Sequence, residues 1–237
     1  MPGRLQKKHF KSLAVIVSAT ALIVISSTMA FFNSTDATTN KFVGSRFDVM
    51  LTETKWDAEK AKNVIPGQEL EKNPQITNKE RTDGYVFLRV TVPGDTQMVD
   101  NDDGTPKDTA VTNVPMYKFM VSYDDTPETF SVDTSFSSDQ LVHDHWQQVE
   151  VTFDSESKQF VYVYAYAENS ELTPLKQKEI TEPLFDKLQL WNFNEQFDPN
   201  VSHSVLVEAL AIQTDIPGVT AGDIDAVWQI LEQEVGS

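Results

Sequence analysis

The chain contains no cysteine. An exported domain without disulfides must rest on a hydrophobic core, and roughly 200 residues suffice to build one. The same absence excludes thiol catalysis and every cysteine-ligated metal site. In an exported protein it fits a Gram-positive bacterium better than a eukaryotic secretory pathway. Histidine is scarce too, with His143, His145 and His203 beyond the first forty residues. No His-Glu-x-x-His occurs, so the helical zinc site with an adjacent general base is missing. There is no Gly-x-Ser-x-Gly elbow for a serine nucleophile. Nor is there a Leu-Pro-x-Thr-Gly motif, and the end, Glu234-Val235-Gly236-Ser237, carries no apolar tail, which argues against covalent wall attachment.

Positive charge is also in short supply. Nineteen Lys and Arg face 36 Asp and Glu, for a formal charge of −17. Such a surface repels nucleic acid and anionic headgroups, so neither is an expected partner. It keeps subunits apart, and salt or divalent cations relieve that repulsion.

Only one long apolar run exists, and it lies at the start. Arg4, Lys7, Lys8 and Lys11 precede an apolar stretch from Leu13 to Ile25, closed by Ser26, Ser27, Thr28 and Ala30. Basic flank, apolar stretch and small residues at a cut site make up a secretory signal peptide. Thr28 and Ala30 sit three and one residues before a cut that leaves Phe31 as the new N-terminus. The competing reading is an uncleaved anchor, because residues 12–32 are just long enough to span a bilayer. Cleavage is the expectation, since the apolar part is short and rich in Ser, Thr and Ala near its end. The protein is then secreted or surface-associated, with no membrane contact after cleavage.

Past residue 40 the pattern turns to period two. Phe47, Val49 and Leu51 alternate with polar neighbours. Val86, Leu88, Val90 and Val92 oppose Tyr85, Phe87, Arg89 and Thr91. Val149, Val151 and Phe153 alternate with Gln148, Glu150 and Thr152. In residues 159–167, Phe160, Tyr162, Tyr164 and Tyr166 share one face and Val161, Val163, Ala165 and Ala167 the other, which predicts a central strand. Further strands are expected over 116–123, 184–193 and 204–213, and the acidic stretch 94–113 reads as a long surface loop. Ile224, Val227, Trp228, Leu231 and Val235 repeat at helical spacing, with Thr220 and Asp223 placed like a capping box. The expected fold is all-β, a jelly-roll-type β-sandwich with one short C-terminal α-helix. Its expected divisions are a signal peptide over 1–30, an N-terminal extension over 31–43 and the sandwich over 44–237.

Two groups invite a metal reading. His143, Asp144 and His145 would place two imidazoles on one face if that stretch were a strand. The simpler reading is polar residues at a strand entrance. Asp100, Asp102 and Asp103 precede Gly104, yet counting back from that glycine puts Val99 at the first EF-hand ligand position and Ala110 at the twelfth. An exposed Asp-Gly turn is the simpler account there, and no cofactor is expected. The tyrosine row would suit a carbohydrate platform, but alternating aromatics more often pack within a sheet.

Four passages together resemble the TasA/camelysin family of exported bacterial proteins, whose signal peptides are cut by a SipW-type peptidase. They are Ala30-Phe31-Phe32-Asn33-Ser34-Thr35-Asp36-Ala37-Thr38-Thr39-Asn40-Lys41-Phe42 leading into Phe47-Asp48-Val49-Met50-Leu51; Val64-Ile65-Pro66-Gly67-Gln68 with Pro74-Gln75-Ile76-Thr77-Asn78 and the strand from Tyr85; Thr181-Glu182-Pro183-Leu184-Phe185-Asp186-Lys187-Leu188; and Glu208-Ala209-Leu210-Ala211-Ile212-Gln213 with the final helix. Physically, Ile65-Pro66-Gly67-Gln68 is a turn signal, and Pro183 suits the first residue of an edge or entering strand. The resemblance implies a subunit of biofilm-matrix fibres, polymerising with itself or with related subunits. Residues 31–42 would act as a donated strand, anchored by Phe31, Phe32 and Phe42. It leaves open an accessory or initiating role, and a camelysin-like metallopeptidase as the enzyme alternative.

Overall fold

Alternating apolar residues build a six-stranded and a four-stranded antiparallel sheet, with a separate two-stranded pair, around two apolar clusters. The computed structural model describes residues 47–57, 60–97, 111–122, 131–132, 140–191 and 204–236. Its strands are β1 (Val49–Glu53), β2 (Glu69–Glu71), β3 (Pro74–Asn78), β4 (Gly84–Gln97), β5 (Val111–Pro115), β6 (Tyr117–Val121), β7 (Ser131–Val132), β8 (Trp146–Asp154), β9 (Gln159–Glu168), β10 (Glu171–Leu172), β11 (Lys187–Leu190) and β12 (Leu206–Gln213). One helix, α1 (Ile224–Gly236), follows. The larger sheet runs β10-β9-β4-β12, with β8 also on β9 and β5 also on β4. The smaller runs β2-β11-β6-β7, and β1 pairs with β3.

The expected all-β sandwich is the observed fold. Val86, Leu88, Val90 and Val92 of β4 meet Phe119 and Val121 of β6 and Leu188 and Leu190 of β11 in the inter-sheet core. Phe119 is stacked on Phe185 at 4.2 Å and tilted against Tyr162 at 5.9 Å, so the two sheets are joined through aromatic rings. The opposite face of the large sheet is covered by α1. Tyr85, Phe87, Val163 and Ala165 pack there against Ile224, Val227, Trp228 and Leu231. The period-3.6 stripe and the period-two strand therefore close on each other. Strand β9 is central as expected, with β8 on one flank and β4 on the other. Its Tyr162 and Tyr164 are wholly buried, which makes the tyrosine row packing and not a platform.

Several details differ from the sequence expectation. Residues 94–97 belong to β4 and 111–113 to β5, and the two pair, so the flanks of the acidic stretch are strand and not loop. Strand β11 spans only Lys187–Leu190; Pro183 lies in the preceding connection, where Leu184 N–H donates to the Pro74 carbonyl at 3.0 Å. A register shift between Gln148 and Glu150 turns Val149 toward the helix-side cluster while Val151 and Phe153 pack on the inter-sheet core. One extra residue in a strand flips the alternation after it. At the helix start Asp223 is the cap, and Thr220 donates both its N–H (2.9 Å) and its hydroxyl (2.7 Å) to the Asp223 carboxylate. The carboxylate does reach back to Thr220, but the helix starts only at Ile224, so this pair lies ahead of the first turn. The turn at Ile65 is as expected: Gln68 N–H donates to the Ile65 carbonyl at 3.0 Å, and Gly67 supplies the positive φ of 79° that its third position needs.

Candidate functional site

The histidine stretch is a turn and not a strand. Trp146 N–H closes it on the His143 carbonyl at 2.9 Å, and β8 begins at Trp146. The two imidazoles consequently reach different carboxylates. His143 Nε2 lies 2.8 Å from Asp186 Oδ2, and His145 Nδ1 lies 2.8 Å from Glu182 Oε1. Glu182 Oε1 also accepts the His145 N–H at 3.0 Å, and Trp146 Nε1 donates to the Glu182 carbonyl at 3.3 Å. Asp144 is exposed between them. Among the described residues, no three His, Asp or Glu side chains group as metal ligands would. The proposed ligand set His143, Asp144 and His145 is thus split by the turn, with each imidazole given its own acid.

Those acids belong to the passage Thr181-Glu182-Pro183-Leu184-Phe185-Asp186, which works as a strap. Thr181 exchanges bonds with Ile76, its N–H to the Ile76 carbonyl at 2.9 Å and its Oγ1 accepting the Ile76 N–H at 3.0 Å. Asp186 donates its N–H to Met120 (2.9 Å), accepts the Lys72 N–H on its carbonyl (3.2 Å), and accepts the Ser122 N–H on Oδ2 (2.9 Å). Burial pushes the Asp186 carboxyl up, but bonds from His143 and Ser122 outweigh it and hold the group below the usual carboxylate range. The strap ties β3, β6 and the entry to β8 into one block. Burial, with Glu182 beside it, raises the phenol of neighbouring Tyr166. Asn78 plays a matching role at the end of β3: fully buried, it donates through Nδ2 to the carbonyls of Leu175 (2.7 Å) and Thr82 (2.9 Å) and accepts Glu80 N–H (2.7 Å). The bonds from Asn78 to Leu175 and from Ile76 to Thr181 span 97 and 105 residues of sequence.

Strand edges are the other feature able to engage a partner. β8 pairs along its length with β9, and among the described residues nothing pairs with its outer side. Gln147, Gln148, Thr152 and Asp154 are exposed there, while Val151 and Phe153 are only partly covered on the core side. Glu150 is held by Trp228 Nε1 at 3.1 Å. Strands β2, β7 and β10 are three residues or shorter. The cleavage residues Thr28, Ala30 and Phe31, the anchors Phe31, Phe32 and Phe42, and the acidic triplet Asp100, Asp102 and Asp103 lie outside the described residues. Among the described residues no helix is long and apolar enough to cross a membrane.

Comparison with known proteins adds only distant likeness. No family model matches the chain, and no curated protein matches it. Among solved structures it is similar to a type II cohesin domain from the cellulosome of Acetivibrio cellulolyticus. That likeness is 13% identical with a TM-score of 0.23, over 70% of this chain and 83% of that one.

Proposed function

We propose that this protein is an exported structural subunit of extracellular fibres of the biofilm-matrix kind, joined by strand donation from the N-terminus. The observation that carries the reading is the order of its parts. A leader closing on small residues runs straight into Phe31-Phe32, and a short polar segment then leads into a β-sandwich. Cleavage would free that segment at the moment of export. An extended segment adds to a sheet edge through main-chain hydrogen bonds, and alternate side chains set its register. Such a head-to-tail contact does not close on itself, so it builds filaments. The resemblance to the TasA/camelysin family supports this reading.

A second reading is an accessory or initiating surface protein of such fibres. It is favoured by the donor's own composition, because residues 33–41 are mostly Asn, Ser, Thr and Asp and bury little apolar area. Electron microscopy of the purified chain starting at Phe31, beside one lacking residues 31–42, distinguishes the two. Filaments from the first and none from the second support a fibre subunit. Monomers from both leave the accessory role. Filaments from both refute strand donation.

A further inference from the structure

We propose that the outer edge of β8, over residues 150–154, is the acceptor for residues 31–42 of a second copy of this chain. The assignment rests on the strand-donation reading above and adds the place where the strand lands.

Four observations converge on this edge. Alternate residues of an antiparallel edge strand direct N–H and C=O away from their one partner, and residues 147–154 pair with β9 alone among the described residues. The core beneath the edge is unfinished: Val151 and Phe153 face the inter-sheet core yet remain partly exposed, although Phe153 lies 4.7 Å from the ring of Phe160. A strand added beside them would place its own inward side chains over that gap. The bulge at Gln148 and Glu150 breaks regular pairing on one side, which leaves the straight run from Glu150 to Asp154 as the usable length. The other edges offer less. β12 lies against β1, and its Ala211 already has a partner. Thr77 of β3 is bridged to Ile180, and β5 ends on Pro115, which has no N–H.

Charge selects the occupant. Pairing β8 with β8 of another copy would set Glu150 and Asp154 against their own duplicates in a chain of formal charge −17. Residues 31–42 carry one acid, Asp36, one base, Lys41, and aromatic rings at both ends. Such a segment brings apolar side chains to Val151 and Phe153 without adding like charge.

The absence of cysteine makes the test direct. Full-length chains would carry Thr152→Cys together with Ser34→Cys, Thr35→Cys, Asp36→Cys or Ala37→Cys, so that both faces of the donor are sampled, be secreted, assembled and mildly oxidised, then run without reductant. A second set would carry Gln213→Cys on β12 in place of Thr152→Cys. A ladder of covalent oligomers from at least one Thr152 combination, and none from the Gln213 set, is the expected result. A ladder from the Gln213 set alone overturns the β8 assignment while keeping strand donation. Fibres that form with no ladder in either set overturn the β8 assignment too. Covalent dimers from Thr152→Cys alone mean that β8 pairs with β8, which also overturns it. Failure to form fibres after deletion of residues 31–42 tests strand donation separately.

Discussion

Lys72 and Glu53 form an ion pair inside the protein, 2.5 Å apart, with side chains only 6% and 9% exposed. The ammonium lies 4.4 Å from the centroid of the Trp56 ring. Burial pushes the Lys72 ammonium below its ordinary value, against the pull of Glu53. The pair joins the end of β1 to the turn between β2 and β3, and desolvation offsets much of its attraction.

Breaking this pair from one side is expected to cost much more than removing it whole. Lys72→Met should lower stability by about 3–5 kcal/mol, because Glu53 is left buried and uncompensated. The double change Lys72→Met with Glu53→Leu should recover most of that loss. Urea unfolding of the four chains of this cycle checks it, and a double variant as unstable as the single one would contradict the account.

Asp186 should make the fold acid-sensitive. Its carboxyl is held below the ordinary value, so its contribution is complete above the unfolded value of about 3.9 and is lost as pH falls through the lower folded value. Asp186→Ala should cost about 1.5–3 kcal/mol at neutral pH, typical of hydrogen bonds to a charged group. The gap between wild type and variant should narrow in acid. Denaturant midpoints at neutral pH and near pH 3 measure it; an unchanged gap would mean that the carboxylate bonds contribute nothing.

Gly84 should not tolerate a side chain. A Cβ there would run into the ring of Phe47, which is itself buried. Gly84→Ala is expected to destabilise by about 1–3 kcal/mol through overpacking. Adding Phe47→Leu to it should restore part of the loss, and thermal unfolding of the single and double variants reads the coupling.

Processing of the secreted chain should leave Phe31 at the N-terminus, within two residues. N-terminal sequencing decides it, and a secreted chain still beginning at Met1 would point to a retained anchor. Replacing Phe31 and Phe32 together by serine should weaken assembly by several kcal/mol per contact, since a buried aromatic contributes roughly 1.5–3 kcal/mol. The critical concentration for polymerisation is the readout.

The strand faces were legible because burial imposes a period. Val86, Leu88, Val90 and Val92 face one core while Tyr85 and Phe87 face the other, as their alternation predicts. The helix stripe was legible for the same reason. Short strands such as β2 and β10 escaped, because two or three residues show no period. The bulge in β8 escaped because nothing local in Gln148-Val149-Glu150 announces an extra residue. It is set by the helix, where Trp228 takes Glu150 and the apolar cluster takes Val149.

The histidines show the limit most clearly. Their spacing determines that His143 and His145 are close in the chain, and composition determines that no thiol or helical zinc motif accompanies them. Only the tertiary structure decides that each meets a different carboxylate, His143 with Asp186 across 43 residues and His145 with Glu182 across 37. Alternation, acidity and turn chemistry are properties of neighbours in sequence, and the chain by itself determines them. Pairings across a sandwich depend on which strands become neighbours in space, and that follows only once the whole core has closed.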